Sequence, residues 1–229
     1  MIFKKAVITG DIVRSTKMCI KERQMLITSV DAALRQWGKD YGMQVEMYRG
    51  DSFQCLLHTP EYALRIALII KTFIKSLNPT ESNELRSRAK NAKKNEMALP
   101  VSMFDTRIGI GIGNVDKGLN KLGTANGPAF LLSGHLLDKL TQGKQSMGIA
   151  TEDSFSNELA IECLLLDYII SRTTALQCEV INLKLLGYTE TEIAHKLKIA
   201  QSAVNQRSNS AGWNAIEGMV KRFEIIYNK

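Results

Sequence analysis

The chain has 229 residues, a formal net charge of +7 and a pI near 9.2, and 45% of its residues are hydrophobic. This composition is typical of a globular protein and excludes a disordered or collagen-like chain. No apolar run reaches the roughly 18 residues of a membrane span, and no secretory signal pattern opens the chain, so we expect a cytoplasmic protein. The positive charge favours a polyanionic partner, either a nucleotide or a nucleic acid.

Cysteine and histidine usage argues against several kinds of site. The four cysteines are widely spaced and include no Cys-x-x-Cys pair, which argues against a zinc ribbon or a disulfide framework and predicts reduced core thiols. The chain has only three histidines and no HExxH motif. A histidine-based metal site or a serine triad is therefore not expected.

Strands and helices alternate in the first two thirds of the chain, as judged from apolar periodicity and turn residues. The predicted elements are a strand at 5–9, a helix at 21–41, strands at 44–48 and 52–57, a helix at 61–77, a strand at 106–115, a helix at 128–140 and a strand at 147–151. A polar stretch at 85–95 predicts a basic loop. This order is close to a ferredoxin-like split unit with one addition.

The strand at 106–115 reads TRIGIGIGNV and alternates strictly. Its isoleucines share one face, which we predict to be core, and its glycines share the other. A glycine face has no side chains, so it marks a place where another group approaches the backbone closely.

Strand patterns stop after Glu152, and only helical patterns follow. An apolar connecting helix is predicted at 159–170. We therefore predict an α+β fold with three parts: a sheet domain at 1–152, a connecting segment at 153–172 and an all-α domain at 173–229.

The C-terminal segment contains several features of a helix-turn-helix. Gly187 ends one helix, and Thr189 begins the next with Glu192 in a capping box. Ile199 fills the turn, and Ser202, a possible N-cap, precedes a third helix. Residues 174–216 resemble the helix-turn-helix of sigma-factor region 4 and of LuxR-type response regulators.

This resemblance implies which side chains contact DNA. The exposed face of the recognition helix would carry Gln201, Ser202, Asn205, Gln206 and Arg207. Asn and Gln can pair with adenine and Arg with guanine, while Lys196 and Lys198 could reach phosphates. A helical hairpin used for dimerisation is the alternative. Because residues 173–229 hold seven Lys/Arg against five Asp/Glu, one copy would bind DNA weakly and a dimer is expected.

Two Gly-Asp pairs, ending in Asp11 and Asp51, stand at predicted strand ends. In a split βαβ sheet these strands are neighbours, so both carboxylates can meet at one edge, where Mg²⁺ or Mn²⁺ could bind with a triphosphate. Each Asp could instead only cap a turn. The segment after Asp11 could hold phosphate oxygens. The nucleotide-binding candidates are Ile12, Arg14, Ser15, Thr16 and Arg49.

Four segments, GDIVRST, RGDSF, RIGIGIGNV and GPAFLLSGHLLDKL, resemble the successive motifs of class III nucleotidyl cyclases. The resemblance covers roughly residues 6–151, and it is greater still to the SatD-like bacterial proteins, which share the opening GDI and the Gly-Pro-Ala-Phe helix start. The cyclase resemblance implies that Asp11 and Asp51 bind two divalent ions. It also implies a homodimer.

The pattern departs from the cyclases at the catalytic positions. Leu131 and His135 stand where the family has an asparagine and an arginine that stabilise the transition state, and leucine cannot donate a hydrogen bond. The base-reading positions fall near Met47 and Thr124. We therefore assign no catalytic residue and expect negligible turnover.

The sequence thus predicts a cytoplasmic DNA-binding transcriptional regulator with a degenerate cyclase-like domain that senses a nucleotide and a metal. Its predicted partners are double-stranded DNA, a nucleoside triphosphate and a second copy. The alternative is a metal-dependent nucleotidyl cyclase, or a related enzyme, regulated through a helical dimerisation domain. A third reading is an interaction protein in which both sites are vestigial.

Overall fold

The computed structural model describes residues 4–48, 50–77, 104–116, 122 and 125–228. Arg49, Thr124 and the basic stretch at 85–95 lie outside the described residues. The strands are β1 Lys5–Ile12, β2 Gln44–Tyr48, β3 Ser52–Leu57, β4 Thr106–Gly113 and β5 Met147–Thr151. The α-helices are α1 Ile20–Asp40, α2 Ala63–Ser76, α3 Pro128–Gln142, α4 Ser156–Ser171, α5 Ala175–Leu185, α6 Glu190–Leu197, α7 Gln201–Ser210 and α8 Trp213–Tyr227. The fold is mixed α+β.

The five strands form one sheet in the order β2-β3-β1-β4-β5. The first four strands are antiparallel to their neighbours, and β5 is parallel to β4. The predicted bounds of β2, β3 and β5 are confirmed. The prediction that β1 ends at Thr9 is wrong, because pairing with both β3 and β4 continues to Asp11. Asp11 therefore lies within a strand and not in a turn.

The two faces of β4 contact different helices. Ile108, Ile110 and Ile112 are fully buried in the core on one face, as predicted. On the other face α3 crosses the glycines so closely that a Cβ on Gly109 would lie 2.5 Å from the Ser133 carbonyl oxygen. The group predicted to approach the glycine face is thus a helix of the same chain.

Helices α1 and α2 cover the isoleucine face of the sheet. The buried residues of α1 recur at helical spacing and include Leu26, Val30 and Leu34. Trp37 of α1 meets Phe73 of α2 edge to face, with ring centroids 5.3 Å apart. This layer is the centre of the hydrophobic core.

The C-terminal helices pack against α2 on the side away from the sheet. Ile181 and Phe223 belong to the same buried cluster as the sheet residues. Asn182 of α5 donates to the Ile69 carbonyl oxygen at 2.8 Å, and Arg65 of α2 donates to Glu224 of α8 at 2.5 Å. The core therefore runs across the predicted division at residue 172.

The cysteines are unpaired. Cys55, Cys163 and Cys178 are buried, as predicted for core thiols. The prediction is wrong for Cys19, which is exposed because it is the N-cap residue of α1. Among the described helices, none combines the length and hydropathy required to cross a membrane.

Candidate functional site

The two aspartates lie at the same end of the sheet. Asp11 of β1 is the cross-strand partner of Ser52 in β3, which directly follows Asp51. The Asp51 carbonyl oxygen accepts a hydrogen bond from the Ile12 amide at 2.9 Å. The two residues are therefore backbone neighbours at this end of the sheet, which we call the carboxylate edge.

Asp11 is held by an arginine that the sequence analysis did not identify. Arg107 donates through Nε to Oδ1 at 2.9 Å and through Nη2 to Oδ2 at 2.5 Å. The pair is largely buried, with 25% of the Arg107 side chain and 19% of the Asp11 side chain exposed. A bidentate contact of this kind, in which one guanidinium donates to both carboxylate oxygens, is among the stronger ion pairs in proteins. Arg107 is opposite Asp11 in the β1/β4 register. The sequence could therefore have predicted this ion pair if the order of the strands in the sheet had been known.

Asp51 is held by the loop that follows β1. Ser15 is 4% exposed and donates its hydroxyl to Asp51 Oδ2 at 2.5 Å. Among the described residues, the other carboxylate oxygen, Oδ1, accepts only a long contact from the Ser52 hydroxyl, at 3.5 Å. Within this part of the chain, Oδ1 is the less firmly held of the two Asp51 oxygens.

The predicted phosphate-binding segment is only partly free to bind. The Ile12 and Val13 amides already donate to the carbonyl oxygens of Asp51 and Asp105. The Ile12 side chain is also buried in the core, so Ile12 presents neither its side chain nor its amide to a ligand in this structure. Arg14 and Thr16 are exposed, and Arg14 has a left-handed φ of 59°. These two residues and Ser15 remain candidates.

A row of polar side chains extends from the carboxylate edge across the sheet. The Thr9 and Ser133 hydroxyls are hydrogen-bonded to each other at 2.9 Å, and the Gln54 amide nitrogen donates to the Thr9 hydroxyl at 3.3 Å. Tyr48 in turn donates to Gln54 at 3.1 Å. Burial, with Glu46 nearby, raises the pKa of Tyr48, so it remains a neutral donor. Strand alternation places Thr9 on the face of Asp11 and could have identified this row.

The residues present fit a metal ion that arrives with phosphates better than a metal bound by protein alone. In the described part of the chain, no group of three or more His, Cys, Asp or Glu side chains is placed to hold a metal. Mg²⁺ commonly uses one or two carboxylates and completes its shell with phosphates and waters. Asp11 and Asp51 match that donor set once Arg107 releases Asp11.

The positions at which the sequence departs from the cyclase pattern lie in different environments. Leu131 is 52% exposed on α3, and His135 is exposed on the same helix. Met47, at the base-reading position, packs against the hydrophobic core.

The second candidate site is the pair of helices α6 and α7. Thr189 accepts from the Glu192 amide at 3.3 Å and its own amide donates to Glu192 at 2.8 Å, so the predicted capping box is present. Lys198 ends α6 in the left-handed conformation, with φ of 53°. Helix α7 begins at Gln201 with Ala200 as its N-cap. The prediction that Ser202 is the cap is therefore wrong.

Helix α7 presents a polar outer face. Its outward residues are exposed, whereas Val204 is buried against Ile193 of α6. The exposed residues predicted to contact DNA are Lys196, Lys198, Gln201, Ser202, Asn205 and Gln206. Arg207 differs from the prediction, because it is only half-exposed and its guanidinium lies 3.9 Å from Glu179.

A cavity of about 360 Å³ lies between α5, α6 and α8, and its lining includes Thr189 and Glu190 at the start of α6. Its charged groups are engaged in ion pairs. Lys184 donates to Glu190 at 2.8 Å and lies over the Trp213 ring, 5.1 Å from its centroid. We assign this cavity no binding role.

No protein-family model matches the chain, and no curated protein matches it. Among solved structures, it is similar to a bacterial light-regulated adenylyl cyclase, with 19% identity and a TM-score of 0.47 over 65% of this chain and 76% of that one. It is also similar to the adenylyl cyclase CyaB from P. aeruginosa, with 16% identity and a TM-score of 0.45 over 67% of this chain and 79% of that one. The guanylyl cyclase domain of the RhoGC fusion protein from the aquatic fungus Blastocladiella emersonii is similar with 16% identity and a TM-score of 0.45, over 67% of this chain and 82% of that one.

Proposed function

We propose that the sheet region is a nucleotide-binding module of the nucleotidyl cyclase type, related to the SatD-like proteins. The observation that carries this proposal is the carboxylate edge, where Asp11 and Asp51 lie beside Arg107 and the Ser15 hydroxyl. The antiparallel order β2-β3-β1-β4 supports a ferredoxin-like sheet. The ligand is a nucleoside triphosphate with Mg²⁺ or Mn²⁺.

The residues of the edge have separate roles in this proposal. Asp11 and Asp51 hold the divalent ion, which neutralises phosphate oxygens when bound. Arg14 and Thr16 are exposed beside the edge and bind phosphate. Arg107 provides the positive charge beside Asp11 in the absence of a metal, and the metal replaces it.

Binding without efficient turnover follows from α3. Stabilising a transition state requires oriented donors, and Leu131 provides none. The nucleotidyl cyclase alternative requires such donors from elsewhere, for instance from a second copy. Product formation therefore separates the two readings.

The test is a thermal-shift titration with Mn²⁺ and each of the four common nucleoside triphosphates. Wild type should gain several degrees at saturating ligand, because a ligand that binds only the folded state stabilises it. Asp11→Asn with Asp51→Asn should abolish that gain, whereas Asp138→Asn, at an exposed carboxylate of α3, should keep it. An equal gain in the double variant would refute the proposal. Cyclic product lost in Asp51→Asn would establish the enzyme alternative.

As a second function we propose that α6 and α7 form a helix-turn-helix that binds double-stranded DNA, as in sigma-factor region 4 and LuxR-type regulators. A three-residue turn joins the two helices, and α7 exposes Gln201, Ser202, Asn205 and Gln206 together. The exposed Lys196 and Lys198 lie beside them and contact phosphates. The chain would then be a cytoplasmic transcriptional regulator.

Selection from random duplexes with the full chain tests this function. Asn205→Ala with Gln206→Ala should reduce discrimination by about 1–3 kcal/mol per lost base contact and leave non-specific binding nearly unchanged. Lys196→Ala with Lys198→Ala should weaken binding to every sequence and reduce its salt dependence. Lys221→Ala, an exposed lysine of α8, is the matched control. Failure to enrich any motif, with no salt-dependent binding, would contradict the function.

A further inference from the structure

Helix α4 has an apolar stripe that no described residue covers. Ile161, Leu164, Leu165 and Tyr168 are 60%, 48%, 59% and 60% exposed. The opposite face of the same helix packs into the core through Leu159, Cys163, Leu166 and Ile170, which are almost fully buried. We call the four exposed residues the α4 stripe. Large apolar side chains exposed together mark an interaction surface.

The spacing of the α4 stripe is that of a helix-helix seam. Its members are at positions i, i+3, i+4 and i+7, so they form one ridge along the helix. Glu158 and Arg172 continue the same seam at its two ends, and both are exposed. The surface is therefore apolar in the middle, acidic at the N-terminal end and basic at the C-terminal end.

We propose that the α4 stripe binds the α4 stripe of a second copy, with the two helices antiparallel. The sequence is symmetric about a point between Leu164 and Leu165, so a two-fold axis there places Ile161 opposite Tyr168 of the other copy. The same axis places Glu158 of each copy opposite Ser171 of the other, one position from Arg172. A parallel pairing would instead place like charges together.

The charge pattern favours a second copy over another apolar partner. Two opposite charges at the ends of one helix are complementary to the same helix reversed, and this contact occurs twice in the dimer. The Arg172 guanidinium already lies over the Tyr168 ring, 5.2 Å from its centroid. This arrangement places the positive charge over the end of the stripe, where the partner's Glu158 arrives. The proposal does not depend on the nucleotide or DNA functions.

The first test measures mass by light scattering across a dilution series of the full chain. Wild type should shift from monomer to dimer with rising concentration, and Leu165→Glu should remain monomeric, with at least a tenfold weaker association. Ile225→Glu is the matched control, because Ile225 is 65% exposed but lies on α8. It should dimerise like wild type. Circular dichroism confirms that each variant is folded. A wild type that stays monomeric throughout the series would overturn the proposal.

Charge reversal tests the antiparallel arrangement. Glu158→Arg and Arg172→Glu should each weaken the dimer, because each places like charges opposite one another. The double variant should restore association toward the wild-type level. If the double variant associates no better than the single ones, the end contacts are wrong and the proposed pairing fails.

Cysteine cross-linking tests the register directly. In a Cys19→Ser background, Leu165→Cys should form an intermolecular disulfide, because the two copies of position 165 lie beside the axis. Ile161→Cys alone should not, since its two copies are separated by about 10 Å along the helix axis, beyond the reach of a disulfide. Ile161→Cys mixed with Tyr168→Cys should cross-link. Efficient self-linking at 161 would indicate parallel helices and refute the proposal.

Discussion

The carboxylate edge and helix α7 hold their polar side chains in opposite ways. At the edge, Asp11 is bonded to Arg107 and Asp51 to Ser15. On α7, Gln201, Ser202, Asn205 and Gln206 project into solvent. A ligand at the edge must exchange partly buried bonds for its own, whereas a surface that meets α7 finds exposed side chains, of which Asn205 would exchange an exposed hydrogen bond from Asn209 at 2.9 Å.

This difference implies different sensitivities. The edge depends on the sheet and the helices that hold it, so changes far from the carboxylates will affect it. The outer face of α7 depends mainly on the small cluster around Val204 and Ile193. Helix α2 lies between the two regions, and its polar contacts decide how strongly they are coupled.

Removing Lys71 should have the largest effect on both regions together. Its buried ammonium group donates to Asp105 at 2.9 Å and to Ser146 at 2.8 Å, and Ser146 donates to Asp167 of α4. Lys71→Ala removes the nearest counter-charge of both carboxylates and leaves Asp105 with Lys75, 3.8 Å away, so we expect a loss of about 3–5 kcal/mol in the free energy of unfolding. Urea denaturation measures the loss. Lys39→Ala, at an exposed lysine of α1, should cost little, and equal effects would show that the buried pair is unimportant.

The same cluster predicts how stability changes with pH. Burial acts to raise the pKa of Asp105, but Lys71 and Lys75 outweigh it and hold the pKa below its ordinary value of 3.8. A lowered pKa adds stability above the unfolded-state value and loses it as pH falls through the folded-state value. We expect the free energy of unfolding to fall as the solution is acidified below that ordinary value, and Asp105→Asn to reduce the slope. An unchanged slope in Asp105→Asn would contradict this account.

A methyl group on the glycine face of β4 should disturb the edge more than α7. At Gly111 a Cβ would lie 2.6 Å from the Ser133 amide nitrogen, and neither backbone can move freely. Gly111→Ala should cost about 1–3 kcal/mol and reduce the nucleotide-dependent thermal shift. Gly134→Ala is the control, because a Cβ there meets nothing within 4 Å. A stable Gly111→Ala protein would mean that α3 can move away from the sheet.

Replacing Asn182 tests the contact between α5 and α2, which lies between the carboxylate edge and α7. Its amide nitrogen donates to the Ile69 carbonyl oxygen at 2.8 Å and to the Thr72 hydroxyl at 3.2 Å. Asn182→Ala removes both of these buried hydrogen bonds, although the Ile69 carbonyl oxygen still accepts from the Thr72 hydroxyl at 3.3 Å, and should cost about 1–2 kcal/mol. Calorimetry should still show one transition, since the core is continuous across this contact. Two separate transitions in the variant would show that the regions are only loosely joined.

The smallest expected effect is at the turn between α6 and α7. Lys198 has a left-handed backbone that glycine adopts more easily, so Lys198→Gly should stabilise the protein by up to about 1 kcal/mol. It should also weaken DNA binding, because a phosphate contact is lost. Lys196→Gly, inside helix α6, should instead destabilise the protein. A neutral or destabilising Lys198→Gly would show that the turn is not strained.

Local patterns determined most of the elements. The alternation of TRIGIGIGNV predicts β4 and its core face, and the Thr189–Glu192 spacing predicts the start of α6, because such patterns depend on neighbours along the chain. The position of Asp11 and Asp51 at one end of the sheet also follows from the sequence once the strand order is assumed. By itself, the sequence therefore determined the α+β class and the residues proposed for both candidate sites.

Contacts between distant residues were decided only by the tertiary structure. Arg107 lies 96 positions from Asp11, and the cross-strand register joins them. Helices α5 and α8 likewise pack on α2 through faces that are apolar in the sequence. The sequence did not predict which element these faces contact. Periodicity shows which face of an element is buried, but not what it is buried against, because the same apolar face can pack on many surfaces. Which surface an apolar face contacts is therefore decided only when the core assembles.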